Sequence, residues 1–442
     1  MNALVFIALF GWIPLTILLF FRFKPHHAAM ISVIGGTLFL PMTGYNLPGL
    51  PPFTKNSVIA IGLILGGRLS GARRAATFRW TRYDLPMLVW CACPLATSIS
   101  NGLGWYDGMS GVWASISVWG IPYLAGRIYI DDKDKLRDLC FALVIGGLLY
   151  LPLCLFEIRM SPKLSKIVYG FFPHSFAQHM RYGGYRPIVF MQHGLMVSLW
   201  MALTTTAAFW LWRSGQIKHI KGFPFSLFVL TMVITTILCK SANGWIALFL
   251  GMGSFLIYRL IKAISLFRLL FLLNFGYILL RISGLLQGAD ILAVSGRIFD
   301  PERISSLAVR LLQEDLFVEK TMQRFFLGWG GYKRGWPVDE ETGRALIGMI
   351  DSQWLIAFNI FGFVGLFFMM TMLWMGPAIA LKEVALDRND ASSLKTEPVL
   401  LSVMILLFMM DNLVNGMINP AYILVSGALL GWALARRRCV DG

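Results

Sequence analysis

Charged residues are scarce in this chain, and their scarcity excludes most soluble folds. Asp, Glu, Lys and Arg together make up 14% of the 442 residues, whereas 57% are hydrophobic. Soluble domains carry about 25% charged residues, and a mean hydropathy of +0.67 lies far from that class. The composition therefore predicts a polytopic membrane protein and not a soluble domain with a single core.

Cysteine is also rare, and no CxxC pair occurs. The six cysteines, at positions 91, 93, 140, 154, 239 and 439, lie mostly inside apolar runs. We therefore expect small core residues there and not a disulfide framework or a metal site. We expect no cleavable leader either. The first apolar segment has no basic stretch before it and ends in Arg-Phe-Lys, so we expect a retained anchor.

Acidic residues are the scarcer of the two charge types. Lys and Arg number 39 against 23 Asp and Glu, which gives a net charge of +16. Such a balance can indicate nucleic-acid binding, but here the basic residues are scattered in short loops between apolar runs. Orientation signals and contacts with anionic lipids explain that distribution, so we expect membrane lipids as partners and no nucleic acid.

Long apolar runs are abundant. About thirteen are long enough to span a bilayer, with allowance for tilt. Spanning segments must be helical, because lipid offers no partner for free backbone groups. The expected fold is therefore all-α, a polytopic transmembrane bundle of about 12–13 spans. The runs lie at 3–21, 28–42, 57–67, 85–100, 109–126, 138–156, 188–212, 224–239, 244–261, 266–284, 353–381, 398–415 and 419–435.

The distribution of Lys and Arg predicts the orientation of these spans. The most basic short loop, 68–82, and the tail 436–442 are assigned to the cytoplasm. The N-terminus is then outside, the C-terminus is cytoplasmic, and two long loops, 157–187 and 285–352, face outward. Four regions follow: N-terminal helices 1–156, central helices 157–284 with the first outer loop, the large periplasmic loop 285–352, and C-terminal helices 353–442.

Both outer loops are basic, which is unusual for outward-facing segments. The first carries Arg159, Lys163, Lys166, Arg181 and Arg186, and the second is richer still in arginine. A solvated loop neutralised by its own carboxylates would explain single residues. Taken together, arginine-rich outer loops flanked by Trp and Tyr predict a basin for an anionic, lipid-attached substrate.

Three motifs occur in order around the long outer loop. They are YRPIVFMQHGLM (185–196), CKSANGWIALFLG (239–251) and FFLGWGGYKRG (325–335), the last followed by MIDSQWLIAFNIFGFVGL (349–366). Over residues 180–435 this arrangement resembles the O-antigen ligase and O-antigen polymerase superfamily of bacterial membrane glycosyltransferases. The resemblance implies transfer of a glycan from undecaprenyl diphosphate to an acceptor glycan hydroxyl in surface polysaccharide biosynthesis. It also implies a site on the periplasmic face of the inner membrane and no metal or other cofactor.

The resemblance further implies roles for individual residues. Arg186 matches the arginine before the family's SRG-like motif, and Arg310 matches the arginine on the outer-loop helix. The motif itself reads SANG here, so its arginine is missing, and whether Lys240 substitutes for it is open. Asp351 stands at or beside the position where the ligases have a histidine. Polymerase-like members tolerate this change more often, so a polymerase is favoured over a ligase.

The reaction requires cations where the leaving diphosphate gathers charge, and arginine binds phosphate bidentately. We expect Arg186 and His193 on one face of a helix with Pro187 in its first turn. With Arg310 and Asp351 they form the catalytic candidates. Asp351 is either a helix N-cap or the base, and His193 either joins two helices or lines the site. Substrate-binding candidates are Lys240, Arg303, Arg324, Trp329 and Tyr332.

Two features of the large outer loop support this assignment. Residues 302–326 are predicted to form an amphipathic helix outside the bilayer, with Arg303 and Arg310 on a shared face. The GWGGY stretch after it is predicted to be a turn that approaches a phosphate or sugar closely. It lacks the Lys-Ser/Thr ending of a P-loop, which argues against nucleotide binding.

Two other functions remain open on the sequence. A transporter or flippase would use the same basic basin to bind and pass a lipid-linked glycan, although no internal repeat is visible. A non-catalytic membrane assembly protein would need no cavity shared by Arg186 and Arg310, which a site requires.

Overall fold

The computed structural model describes residues 2–46, 48–71, 78–181, 183–261, 264–296, 301–339, 344–346, 350–386 and 396–441. Helices dominate these residues, so the expected all-α class is confirmed. The strands form three antiparallel hairpins of two residues a side. They pair Gly44–Tyr45 (β1) with Phe53–Thr54 (β2), Met180–Arg181 (β3) with Gly184–Tyr185 (β4), and His219–Ile220 (β5) with Phe223–Pro224 (β6).

The helices follow one another with short connections in most of the chain. They are α1 Ala3–Arg22, α2 Pro25–Phe39, α3 Lys55–Leu69, α4 Leu85–Ser100, α5 Trp105–Ser115, α6 Ile121–Tyr129, α7 Lys133–Met160, α8 Leu164–Tyr169, α9 Gly194–Arg213, α10 Phe225–Leu238, α11 Ala242–Ile261, α12 Ile264–Ile282, α13 Gly288–Ser295, α14 Pro301–Met322, α15 Gln353–Leu386, α16 Thr396–Asp411 and α17 Pro420–Asp441. A π-helical turn, Ile116–Gly120, joins α5 to α6.

A helix covers most of each predicted apolar run. Five helices of the described residues are long and apolar enough to cross a membrane, namely α1, α7, α9, α12 and α15. For the remaining runs, membrane crossing stays a prediction. The five cysteines whose surroundings are described are buried and unpaired, as expected for core residues, and the Cys439 side chain lies outside the described part.

Glycines let the core helices approach closely. Gly427 of α17 packs on the Tyr123 carbonyl of α6, and Gly62 of α3 packs on Thr16 of α1. A Cβ at either glycine would overlap its neighbour. These contacts bring helix backbones together in the way that small residues allow between membrane helices.

The predicted start of the helix after Arg186 is wrong. α9 begins at Gly194, and the residues before it are irregular, with Val189 at a φ of +55°. Glu157 at the end of α7 is buried and accepts the backbone N–H groups of Ile188 and Val189, each at 2.8 Å. Since a distant carboxylate takes these N–H groups, the segment is held in a turn and does not continue the helix.

This turn changes how the candidate residues of the motif are arranged. Arg186 and His193 do not share a helical face, and Pro187 is not in a first helical turn. The Tyr150 hydroxyl of α7 also accepts the Phe190 N–H, at 3.1 Å. The motif is therefore a rigid connection that ends at His193, the N-cap residue of α9.

The helix α15 is interrupted at Gly362, where φ is +66°. The loop after α14 bonds to the backbone groups near this break. Phe363 donates its N–H to the Phe325 carbonyl at 2.7 Å, and Trp329 donates to the Asn359 carbonyl at 3.0 Å. Because broken helices need such partners inside the protein, the loop and the break hold each other in place.

One end of the bundle gathers the segments that carry most of the candidate residues. There the end of α10 meets the start of α9 through Arg186 and Lys240, and the start of α11 meets the end of α16 through Asn243 and Asp411. The start of α15 joins them through Gln353. We call this the site end. The other end, where α2 and α7 begin and α17 ends, is the opposite end.

Candidate functional site

Arg310 and Asp351 form an ion pair at the site end. The Arg310 Nε lies 3.5 Å from an Asp351 carboxylate oxygen, and each side chain is about one-third exposed. Asp351 directly precedes the cap of α15, because the Ser352 carbonyl accepts the Ile356 N–H. Among the described residues, the Asp351 carboxylate therefore contacts Arg310, which also remains accessible to solvent.

A buried network holds the helix that carries Arg310. On α14, Glu314 accepts from Arg281 at 2.9 Å and from the Tyr277 hydroxyl at 2.8 Å, both on α12. Arg281 also pairs with Asp315 at 2.9 Å. Burial raises the pKa of Glu314, and the bonds from Tyr277 and Arg281 oppose that rise. The predicted amphipathic helix is present as α14, and its buried face fixes the position of Arg310, whereas its location outside the bilayer stays a prediction.

Asp411 and three asparagines form a buried polar layer beside this pair, which we call the Asp–Asn layer. It comprises Asp411, Asn412, Asn415 and Asn419, each at most 7% exposed. One carboxylate oxygen of Asp411 accepts from Asn415 at 2.7 Å and from Asn243 of α11 at 3.4 Å. The charge of Arg310 also acts on Asp411.

Many polar atoms of the Asp–Asn layer lack a partner among the described residues. They include the second oxygen of Asp411, both amide atoms of Asn412, the Asn419 amide nitrogen and the nearby Tyr422 hydroxyl. Each such group costs about 1–3 kcal/mol when buried without a partner. The layer is therefore stable only where water or a polar ligand reaches it.

The sequence interpretation missed the Asp–Asn layer. Its residues were placed inside two apolar runs, 398–415 and 419–435. A usable signal was present, because Asp411, Asn415 and Asn419 recur every four residues and polar side chains at membrane depth mark functional sites.

Arg186 is buried and joins two helix ends. Its Nη2 donates to the Lys240 carbonyl at 2.8 Å, and its side chain packs against Gly194. Lys240 has a φ of +53° and contacts Gly184 through its ammonium group. Among the described contacts, Arg186 and Arg310 do not touch. The surroundings of the two arginines are connected through the start of α11. Lys240, which contacts Arg186, precedes this helix, and Asn243 on it donates to Asp411.

Three histidine rings meet around Arg186. The His193 ring centroid lies 4.8 Å from that of His174 and 6.0 Å from that of His179. Burial, followed by the neighbouring His174 ring and then the Arg186 charge, lowers the pKa of His193 to about 3. Burial and His174 likewise lower the pKa of His179 to about 4. These two rings are neutral at physiological pH.

The hydrogen bond made by His193 decides what the ring can do. Its Nδ1 accepts the Leu195 N–H at 3.1 Å, which caps α9. A neutral ring that accepts at Nδ1 carries its proton at Nε2. His193 is therefore arranged as a hydrogen-bond donor, and its cap explains the histidine without a role as base.

Cations and aromatic rings alternate in the loop after α14. The Lys320 and Arg324 side chains lie 4.6 and 5.0 Å from the Trp329 ring centroid. Tyr332 is 66% exposed, and its ring centroid lies 5.6 Å from that of Trp336. The exposed Tyr332 ring and the partly exposed Trp329 ring, beside these cations, form a surface that suits a sugar attached to a phosphate.

An approach of the GWGGY glycines to a phosphate or sugar stays a prediction. Their close approach is to α15: a Cβ on Gly328 would overlap Gly362 and Ile360, and Gly330 donates to the Ile360 carbonyl at 3.0 Å. These backbone contacts anchor the loop to α15. The Arg303 side chain lies outside the described part of the chain, so its predicted place beside Arg310 stays a prediction.

No model of a known protein family matches the chain, and no curated protein matches it significantly.

Proposed function

We propose that the chain is a membrane glycosyltransferase. It joins a glycan carried on undecaprenyl diphosphate to an acceptor glycan hydroxyl in surface polysaccharide synthesis, and a polymerase is favoured over a ligase. The observation that carries the proposal is the Asp–Asn layer, whose free polar atoms lie beside the Arg310–Asp351 pair. A phosphate-binding cation, a carboxylate and sugar-binding amides are the groups that such a transfer requires.

The topology is part of the proposal. We propose thirteen crossings of a bacterial inner membrane, with the N-terminus outside, the C-terminus in the cytoplasm and the site end facing the periplasm. The five apolar helices support membrane insertion. The meeting of the starts of α9, α11 and α15 with the ends of α10 and α16 agrees with helices that cross in alternating directions.

In the proposed mechanism, Arg310 meets the diphosphate. The acceptor oxygen attacks the anomeric carbon, the bond from that carbon to the diphosphate oxygen breaks, and the electron pair stays on the diphosphate. A guanidinium fork already oriented by Asp351 stabilises that charge without reorganisation. Charge neutralisation by arginine supplies what a metal ion would otherwise supply.

The proton of the acceptor hydroxyl needs a base. Asp351 is positioned for this role because its carboxylate lies 3.5 Å from Arg310 and is about one-third exposed, so it can pass the proton to solvent. The Asn412 amide and the side-chain oxygen of Asn415 have no partner among the described residues and would bind sugar hydroxyls. Arg186, buried against Lys240, acts as a fixed charge that holds the helix ends, and it adds to burial and to His174 in keeping His193 neutral.

The loop after α14 carries Trp329 and Tyr332, and we call it the aromatic loop. It gives the substrate a binding surface outside the Asp–Asn layer. Tyr332 and the ring of Trp329 offer apolar faces, and Arg324 and Lys320 hold a cation over the latter. Sugars stack on such faces while neighbouring cations attract the diphosphate. These residues would bind the glycan next to the reacting bond.

The break in α15 bears on the transporter alternative. Discontinuous helices often line transport sites, where their free backbone groups bind substrate. At Gly362 the neighbouring groups bond to the loop after α14 instead, through Phe325 and Trp329. The backbone groups at the break therefore hold the aromatic loop in place and are not free for a substrate. For this reason the flippase role is the less favoured alternative.

The test is the glycan profile of a strain that lacks this gene. Loss of long chains, with short lipid-linked units retained, is the result expected of a polymerase. Accumulation of finished polymer that is not attached to its acceptor would indicate a ligase instead. An unchanged profile, with the wild-type protein shown to be expressed in the parent, would refute the glycosyltransferase assignment.

A further inference from the structure

A second group of polar side chains lies at the opposite end of the bundle, away from the site just described. His26 and His27 stand in the first turn of α2, and Asp138 stands in the second turn of α7. The Nε2 atoms of His26 and His27 lie 3.3 and 3.0 Å from the same carboxylate oxygen of Asp138. The ligand atoms of all three residues lie within 4.8 Å of one another.

These distances match the spacing of ligands around a metal ion. Zinc binds imidazole nitrogen and carboxylate oxygen at about 2.0–2.2 Å in tetrahedral sites, so two of its ligand atoms are about 3.4 Å apart. The observed separations of 3.0 and 3.3 Å lie close to that ligand–ligand distance. The two histidine nitrogens lie within 4.8 Å of each other, and a shift of the rings that brings them to about 3.4 Å would complete the zinc site.

The two histidines converge in a way that adjacent helical residues normally do not. Consecutive side chains on a helix point about 100° apart. His26 and His27 nevertheless have ring centroids 4.1 Å apart and reach one oxygen. Both rings are turned towards the gap between α2 and α7.

The two helices that carry the ligands are fixed independently of the group. The Tyr150 hydroxyl of α7 donates to the Leu38 carbonyl of α2 at 3.1 Å, and Gly146 packs on Ile34. The neighbouring cation Lys135 is engaged by Asp131 and Asp132, each at 2.6 Å. The helices that carry the ligands are therefore held in place, and the charge of Lys135 is compensated.

We propose that His26, His27 and Asp138 bind a divalent transition-metal ion, with zinc as the preferred ion. Three protein ligands leave a fourth position for water. The ring of His27 and the carboxylate of Asp138 are 40% and 33% exposed, so solvent reaches that position. The metal would tie the start of α2 to the start of α7, and this site is independent of the transfer reaction proposed above.

The test is metal binding by the full-length protein, purified in detergent with a tag that contains no histidine. Cobalt is titrated at pH 7.5 and followed by its visible absorption, which reports tetrahedral coordination, and zinc is then added as competitor. We expect one cobalt ion per chain, displaced by zinc. His27→Ala and Asp138→Asn should each weaken binding by about 10-fold or more, because losing a ligand costs at least as much as losing an outer partner.

Two controls separate this site from other histidines. His219→Ala removes an exposed histidine, and His179→Ala disrupts the histidine group at the site end. Both should bind cobalt as the wild type does. Asp138→Asn keeps the shape of the side chain, and zinc should raise the melting temperature of the wild type but not of this variant. Equal binding by a His27→Ala, Asp138→Asn double variant, or loss of binding in His179→Ala, would overturn the proposal.

Discussion

Two buried aspartates, one at each end of the bundle, differ in how many hydrogen bonds their carboxylate oxygens accept. At the opposite end, Asp84 receives bonds on both oxygens. The Thr81 N–H and hydroxyl donate to one oxygen at 2.9 and 2.8 Å, and Arg127 and the Tyr123 hydroxyl donate to the other at 3.2 and 3.3 Å. Asp411 at the site end receives two amides on one oxygen and nothing on the other among the described residues.

The difference separates a polar group that holds the fold from one that is open to a ligand. A buried charge with all its bonds made contributes to one defined structure, and removing its partner is costly. A buried carboxylate with a free oxygen, beside free amides, adds little to the fold and is explained by what it binds. Asp84 belongs to the first kind and Asp411 to the second.

The largest expected effect falls on Arg310. Arg310→Ala should reduce transfer by on the order of 10³-fold or more, the range of arginines that stabilise charge on a transferred group. Arg310→Lys should restore only part of the activity, because a point charge lacks the fork. The measurement is glycan profiling of the complemented deletion strain, with Lys218→Ala, an exposed basic residue in another loop, as control. Wild-type profiles in Arg310→Ala would remove Arg310 from the site.

The next effect concerns stability and contrasts the two ends directly. Arg127→Ala leaves Asp84 buried without its cation and should lower the free energy of unfolding by about 3–5 kcal/mol. Asp411→Asn should change it by less than about 1 kcal/mol, since the carboxylate makes only amide contacts, and should lower transfer. Unfolding of the two variants in detergent checks this. A larger loss of stability in Asp411→Asn than in Arg127→Ala would reverse the assignment of the two aspartates.

Asp351→Asn separates a base from a residue that only orients Arg310, since Ser352 and not Asp351 caps α15. As the base, Asp351 contributes about 10²-fold or more to transfer, which the amide loses. As an orienting residue it contributes less, because the asparagine oxygen still accepts from Arg310. We expect the loss, measured as transfer at equal protein expression. Full activity would leave Asp351 as a residue that only orients Arg310.

The last expected effect is a loss of stability in acid. The pKa values of His179 and His193 are lowered to about 4 and about 3, chiefly by burial, whereas an unfolded histidine titrates near about 6.5. Between these values the unfolded chain binds more protons, so stability falls as the pH falls. We expect a loss on the order of 2 kcal/mol for each of the two histidines at pH 5 relative to pH 7.5.

Thermal unfolding in detergent at the two pH values measures this slope. His179→Gln should flatten it, whereas His219→Gln, at an exposed position, should leave it unchanged. An equally steep slope in His179→Gln would show that the buried histidines are not its source.

The helices were predictable because their signal is local. A long apolar run must be helical in lipid, and each predicted run lies largely in a helix of the structure. The amphipathic helix α14 was predictable for the same reason, since its buried line of Leu311, Glu314 and Val318 is visible in the spacing. That Arg310 and Asp351 belong to one site was predicted only from the family resemblance.

The missed features depend on contacts between distant residues. α9 starts late because Glu157, about thirty residues earlier, binds the Ile188 N–H. The break at Gly362 is held by a loop that precedes it by more than thirty residues. The Asp–Asn layer was overlooked because isolated polar residues do not interrupt an averaged apolar run. None of these can be read from a window of neighbouring residues.

The most direct measurement of the central claim is transfer by the purified protein in lipid vesicles. An undecaprenyl-diphosphate-linked oligosaccharide is supplied, and both the glycan length and the release of undecaprenyl diphosphate are followed. We predict longer glycans and released undecaprenyl diphosphate with the wild type, and neither with Arg310→Ala. Passage of the intact lipid-linked glycan across the vesicle bilayer, with no undecaprenyl diphosphate released, would contradict the account and identify a transporter.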